Sequence, residues 1–145
     1  MTYASAAPTV ASIAQPNVVA LEGTASISEA ARTMAQRKIG SVAVRERGEL
    51  VGLVTERDLL LTVLVGGTDA TQPLREAMRP EVPRVGADAS EAACAALMRR
   101  HATRHLLVED RGQVVGVVSM RDIINTMLHE KQFLIDQLAT YINGQ

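Results

Sequence analysis

Two stretches of this 145-residue chain carry groups suited to a charged, hydroxyl-bearing ligand: Gly52-Leu53-Val54-Thr55-Glu56-Arg57-Asp58 and Gly116-Val117-Val118-Ser119-Met120-Arg121-Asp122. In each, a β-rich run ends and a helix is expected to open at the hydroxyl residue. Such a junction offers unpaired backbone N–H groups and the positive end of a helix dipole to an anion, and the Thr55 or Ser119 hydroxyl can donate to it as well. A carboxylate three residues on, Asp58 or Asp122, can accept from both hydroxyls of a ribose, while Arg57 or Arg121 offsets phosphate charge. The set suits a ribonucleotide. The same spacing also makes a capping box that needs no ligand. Capping fixes only the first and last of each four positions, whereas the Arg-Asp pair occurs in both stretches; both readings stand at this level.

The two stretches belong to an internal repeat. Gly48, Gly52, Arg57 and Asp58 recur as Gly112, Gly116, Arg121 and Asp122, and the same offset pairs Pro16 with Pro80, Val18 with Val82, Ala25-Ser26 with Ala89-Ser90, Met34 with Met98, and Val44 with Val108. Register holds without a gap.

Each copy must therefore build the same frame around its junction. A short extended piece comes first, Val18 to Leu21 and Val82 to Val85. A helix follows, with Ile27, Ala30, Ala31, Met34 and Ala35 on one stripe behind the cap Ser26-x-x-Glu29; Cys94, Ala95 and Met98 repeat it. Two β-rich runs then form a hairpin, Ser41 to Val44 with Leu50 to Thr55 around Arg47-Gly48, and Leu106 to Val108 with Val114 to Ser119 around Arg111-Gly112. A second helix starts near Glu56 and near Met120. Between the copies, Gly66-Gly67-Thr68-Asp69 is turn chemistry and Leu74 to Met78 reads as one helical turn. After the second copy, Phe133, Leu134, Gln137, Leu138 and Tyr141 keep helical spacing to Gly144, so the last helix runs past the repeat and needs a partner surface.

Composition excludes several classes. The chain is 47% hydrophobic and 21% charged, ordinary for a folded domain, and 15 basic against 16 acidic residues give no broad field for nucleic acid or a membrane surface. No apolar run is long enough to span a bilayer, and the segment before Pro16 lacks the basic start of a signal peptide. Cys94 stands alone, which rules out an intrachain disulfide and fits a cytoplasmic protein. It reads as a small core residue. His101, His105 and His129 lack metal-ligand spacing, and Arg99-Arg100-His101 reads as a cationic helix end.

The order strand, helix, strand, strand, helix, ending in apolar-Gly-x-x-[Ser/Thr]-x-x-Asp, resembles the cystathionine-β-synthase (CBS) domain, and two copies resemble a Bateman module. The resemblance implies an α+β fold of two βαββα CBS repeats packed around a pseudo-twofold axis with a C-terminal helical extension. Its segments would be an N-terminal stretch at 1–15, repeats at 16–66 and 80–130, a linker at 67–79 and the extension at 131–145. It further implies two equivalent clefts that take AMP, ADP, ATP, NAD or S-adenosylmethionine. Asp58 and Asp122 would hold ribose, and Thr55 and Ser119 would contact ribose or phosphate. The Ser119–Asp122 cleft would borrow Val19, Ile39 and Gly40, with His105 near the phosphate; the Thr55–Asp58 cleft would borrow Pro83, Thr103 and Arg104. Gly40-Ser41 in one copy against Arg104-His105 in the other makes the clefts unequal in charge. As a whole, the resemblance implies an adenine-nucleotide sensor, not an enzyme, that forms a homodimer through helix faces and acts on a separate target protein. The alternative is a dimerising scaffold whose clefts stay empty.

Overall fold

The computed structural model describes residues 9–14, 18–79 and 81–144; the pairing of Pro16 with Pro80 and most of the 1–15 stretch lie outside them. The fold is α+β, with two three-stranded sheets. In the first half, helix α1 (Val10–Ile13) precedes β1 (Ala20–Glu22), α2 (Ile27–Arg37), β2 (Ser41–Glu46), β3 (Glu49–Thr55) and α3 (Glu56–Leu59), which runs on as a wider π turn over Leu60–Val65. A 3-10 turn (Leu74–Ala77) leads into β4 (Arg84–Gly86), α4 (Glu91–Arg100), β5 (His105–Asp110), β6 (Gln113–Ser119) and α5 (Met120–Asn143). Strand order is β1-β2-β3 and β4-β5-β6, parallel at the first pairing and antiparallel at the second in both sheets.

The repeat is kept down to backbone angles. Each hairpin turns on two residues with positive φ, Arg47 and Gly48 at 51° and 79°, Arg111 and Gly112 at 51° and 78°. That is the tight two-residue turn whose twist matches the strands it joins. Lys38 and Ala102 adopt the same left-handed conformation after α2 and α4, at φ 54° and 50°. Both hairpins also shift register at the same place, between Val44 and Arg45 and between Val108 and Glu109.

Alternation along the strands sorts the core into three layers. Val42, Val44 and Val54 face α2 through Ile27, Ala30 and Met34, and Leu106, Val108 and Val118 face Cys94 and Met98 of α4 and Ile123 of α5. The residues between them point the other way: Ala43, Leu53, Leu107 and Val117 form a third buried cluster that joins the sheets, edged by Val18, Leu50, Val82 and Val114. Burial on both faces explains why these strands read as almost unbroken apolar runs. Cys94 is fully buried, and burial followed by nearby Glu91 holds its thiol pKa up, as suits a core position.

The short segments ahead of the two repeats are exchanged. Leu74 N donates to Ala25 O at 2.6 Å and Arg75 N to Gly23 O at 3.1 Å, which seats Leu74 and Ala77 in the first repeat's helical core. In the same way Val10 N donates to Ala89 O at 2.9 Å and Ala11 N to Ala87 O at 3.0 Å, and Val10 is buried in the second. Every partner in one set lies 64 positions from its counterpart in the other. This crossing ties the halves around the pseudo-twofold axis and delivers the residues after Ala77 to the mouth of a cleft.

Candidate functional site

Both junctions form. Thr55 caps α3: its N–H and hydroxyl each donate to Asp58 Oδ2 at 2.8 Å, and its Oγ1 accepts from Asp58 N at 3.2 Å. Ser119 caps α5 in the same way, with Asp122 Oδ2 at 2.8 Å from its N–H and 2.9 Å from its hydroxyl. The capping reading is therefore correct for both. Each of these bonds fixes a carboxylate beside a helix start, so the cap also orients the group that a ribose would need.

What surrounds the two carboxylates differs. Around Asp122 a cavity of about 840 Å³ opens between the repeats, within the range of small-molecule sites. Val18, Val19, Ile39, Gly40 and Ser41 line it from the first repeat and Arg104, His105, Ser119, Arg121 and Asp122 from the second. Strand pairing explains the meeting: Met120 N donates to Arg104 O at 2.8 Å, tying the start of β5 to the start of α5. Arg104, which the resemblance assigned to the other cleft, thus stands on this one. Lys38, in the left-handed position that closes α2, also lines the cavity, a cation not selected from the sequence. Three cations, Lys38, Arg104 and Arg121, face one carboxylate, so the pocket favours an anionic ligand.

His105 is half-buried in the same wall. Burial, then the positive charge of Arg79, push its imidazole pKa below the usual histidine range, with Arg104 adding to the effect and Asp122 and Asp58 opposing it. The imidazole is held toward its neutral form. Its backbone is fixed by the hydroxyl of buried Thr103, which donates to His105 O at 3.2 Å.

Asp58 has a different neighbour. Its second oxygen, Oδ1, accepts from Arg79 Nε at 2.9 Å, and Arg79 Nη1 donates to Thr103 Oγ1 at 3.2 Å. Asp58 and Thr103 are both buried. Asp58 and Thr103 are thus linked through an arginine, Arg79, that the sequence did not point to. Pro83 is half-buried on the strand entry, where its carbonyl accepts from Leu107 N at 3.0 Å, and Arg57 is exposed. Among the described residues no group of three or more His, Cys, Asp or Glu could hold a metal ion, and no helix is long and apolar enough to cross a membrane.

The CBS-domain family model matches residues 10–64 and 74–129, the two halves that the fold relates by its pseudo-twofold axis. The chain belongs to the CBS-domain family. Among its relatives, the CBS domain-containing protein YhcV of Bacillus subtilis is 34% identical over 106 residues, covering 72% of this chain and 76% of that protein. A CBS-domain structure from Burkholderia ambifaria superposes with a TM-score of 0.77 at 29% identity, over 84% of this chain and 95% of that one. CBSX2, solved in complex with AMP, shares the fold with a TM-score of 0.73 at 23% identity, over 85% of this chain and 98% of that one. CBS pairs are regulatory or signalling modules.

Proposed function

We propose that this CBS pair is a cytoplasmic sensor that binds an adenine nucleotide, AMP, ADP, ATP or NAD, in the cleft at Asp122 and modulates a separate protein. The observation that carries the reading is the 840 Å³ cavity whose walls come from both repeats, with a carboxylate fixed at a helix start and three cations around it. Val19 and Ile39 provide apolar surface for a purine. Asp122 accepts from the ribose hydroxyls, while Ser119, Arg104, Arg121, Lys38 and His105 meet phosphate. An AMP complex of a protein with the same fold supports this ligand class. Because the walls belong to different repeats, a bound nucleotide favours conformations in which both are in place, which is how a regulatory output arises.

The reading assigns no catalysis. Asp58 does not line the Asp122 cavity, so the two acids do not act on one bond. Two copies pair through matching apolar faces: Leu60 and Leu64 are 51% and 77% exposed, and their repeat partners Ile124 and Leu128 are 47% and 60% exposed. Along α5 the same face continues with Ile135, Leu138 and Ile142, which are exposed as well. Exposed apolar side chains in this number call for a partner. The dimer is tested by light scattering of the wild type against Leu64→Glu/Leu128→Glu; a monomeric wild type refutes it.

Nucleotide binding is tested by calorimetric titration of nucleotide-stripped protein with AMP, ATP, NAD and S-adenosylmethionine, repeated on Asp122→Ala. Binding that the variant loses supports the site. A wild type that binds none of the four favours a scaffold with empty clefts.

A further inference from the structure

We infer that Arg79 is a built-in occupant of the Asp58 cleft, so that each chain takes one nucleotide, at Asp122, and Arg79 is the residue that sets this number. The inference rests on the nucleotide reading above and concerns which cleft is usable. In the Asp58 cleft the guanidinium sits on the groups that a ribose would need. Asp58 Oδ2 is committed to Thr55 by two bonds of 2.8 Å, and Oδ1 accepts from Arg79 Nε at 2.9 Å. The other end of the same side chain reaches Thr103 at 3.2 Å, across the cleft in the second repeat. One arginine thus spans both walls, and Asp58 is left 7% exposed.

This side chain is held in place from behind. Arg79 follows the exchanged turn Leu74–Ala77, in which Leu74 is fully buried and Ala77 nearly so. Met78 lies against Gly52, where a Cβ would stand 2.6 Å from its sulfur, so a larger residue at 52 would displace the Met78 side chain. The arginine is therefore aimed by core packing. A ribose at Asp58 would have to break a charge-assisted hydrogen bond and expel a guanidinium bonded to both walls, whereas the Asp122 side already has an open cavity.

The test is calorimetric titration with AMP of the wild type, Asp122→Ala, Arg79→Gln and Arg79→Gln/Asp122→Ala, each checked for its folded circular-dichroism spectrum. Expected are one site per chain in the wild type, none in Asp122→Ala, two in Arg79→Gln with the new site within about tenfold of the first, and one in the double variant. Two sites in the wild type overturn the inference, as does a site of unchanged affinity left in Asp122→Ala; neither depends on how Arg79→Gln folds. A folded Arg79→Gln that still takes one AMP overturns it too while leaving the nucleotide reading intact. No binding of AMP, ATP, NAD or S-adenosylmethionine by any of the four proteins refutes the nucleotide reading itself, and this inference with it.

Discussion

Replacing Arg79 by alanine is expected to lower stability by an amount the geometry sets. The variant loses one charge-assisted hydrogen bond to a buried carboxylate and one neutral bond to Thr103. Bonds to charged groups contribute about 1.5–3 kcal/mol, but the Arg79 side chain is 33% exposed, so solvent screens the pair and the net loss is about 1–2 kcal/mol. For a domain of this size that is a fall in Tm of roughly 3–6 °C. Asp58→Ala should cost more, because it also removes both bonds to the Thr55 cap. The double variant should fall short of the sum by about 1 kcal/mol, the coupling between the two side chains. Saturating AMP should then reverse the ranking. At a hundredfold excess over Kd, one site adds about 2.7 kcal/mol and two equal sites about twice that, so Arg79→Ala should gain roughly double the wild type's thermal shift. Thermal melts with and without AMP measure all of this. Additive losses at Arg79 and Asp58, or an Arg79→Ala Tm within about 1 °C of the wild type, would show that the pair does not form in solution and that Arg79 does not hold the Asp58 cleft.

Three further outcomes follow from the structure. Leu74→Ala should cost about 3–5 kcal/mol in urea unfolding, and Val10→Ala about 2 kcal/mol, because each fully buried side chain closes the opposite repeat's core; losses under about 0.5 kcal/mol would mean that the exchange is not made. The pKa of Glu91 is raised by burial and then by Glu130, so the folded state holds its proton more tightly and loses stability as pH rises through the carboxylate range; Glu91→Gln should raise Tm at pH 7, with the gain vanishing at low pH. The lowered His105 pKa has the opposite sign: its stability contribution is complete above the ordinary histidine pKa and is lost as pH falls. Phosphate beside the imidazole favours its charged form, so AMP affinity should increase from pH 8 toward pH 6, and His105→Gln should flatten both dependences.

Most of the frame was legible because the repeat tests itself. A pattern at Gly48 or Thr55 that returns in register at Gly112 or Ser119 excludes alternatives that either copy alone would leave open, and the hairpins, caps and helix starts fell within a few residues of their observed places. The exchange was not legible, although the helical turn read at Leu74 to Met78 is present over Leu74–Ala77. Val10–Ile13 is one turn in an Ala- and Ser-rich stretch, Thr9-Val10 shares no identity with Pro73-Leu74, and the core that Val10 joins, with Val85, Cys94 and Met98, lies far along the chain. Lys38 was missed for a related reason: the left-handed position that ends α2 usually takes Gly or Asn, and a lysine there gives no signal. Arg79 could not be found at all, since its partners Asp58 and Thr103 are more than twenty residues away on either side.

Those same residues explain how two clefts of common descent come to differ. The backbone repeats almost angle for angle, so the difference lies in side chains: Arg104 and His105 stand where the first copy has Gly40 and Ser41, and Arg79 where it has Gln15. The Asp122 cleft has cations on the walls of an open volume, while in the Asp58 cleft Arg79 pairs with the carboxylate. The clefts are also in contact. Asp58 holds Arg79, Arg79 bonds Thr103, and the Thr103 hydroxyl accepts from His105 N at 3.4 Å, on the wall of the Asp122 cavity. Since the Arg79 charge is one cause of the lowered His105 pKa, moving that guanidinium out of the Asp58 cleft lets the imidazole charge more readily beside bound phosphate. Opening the closed cleft should therefore also tighten the open one, and more so near pH 6 than near pH 8.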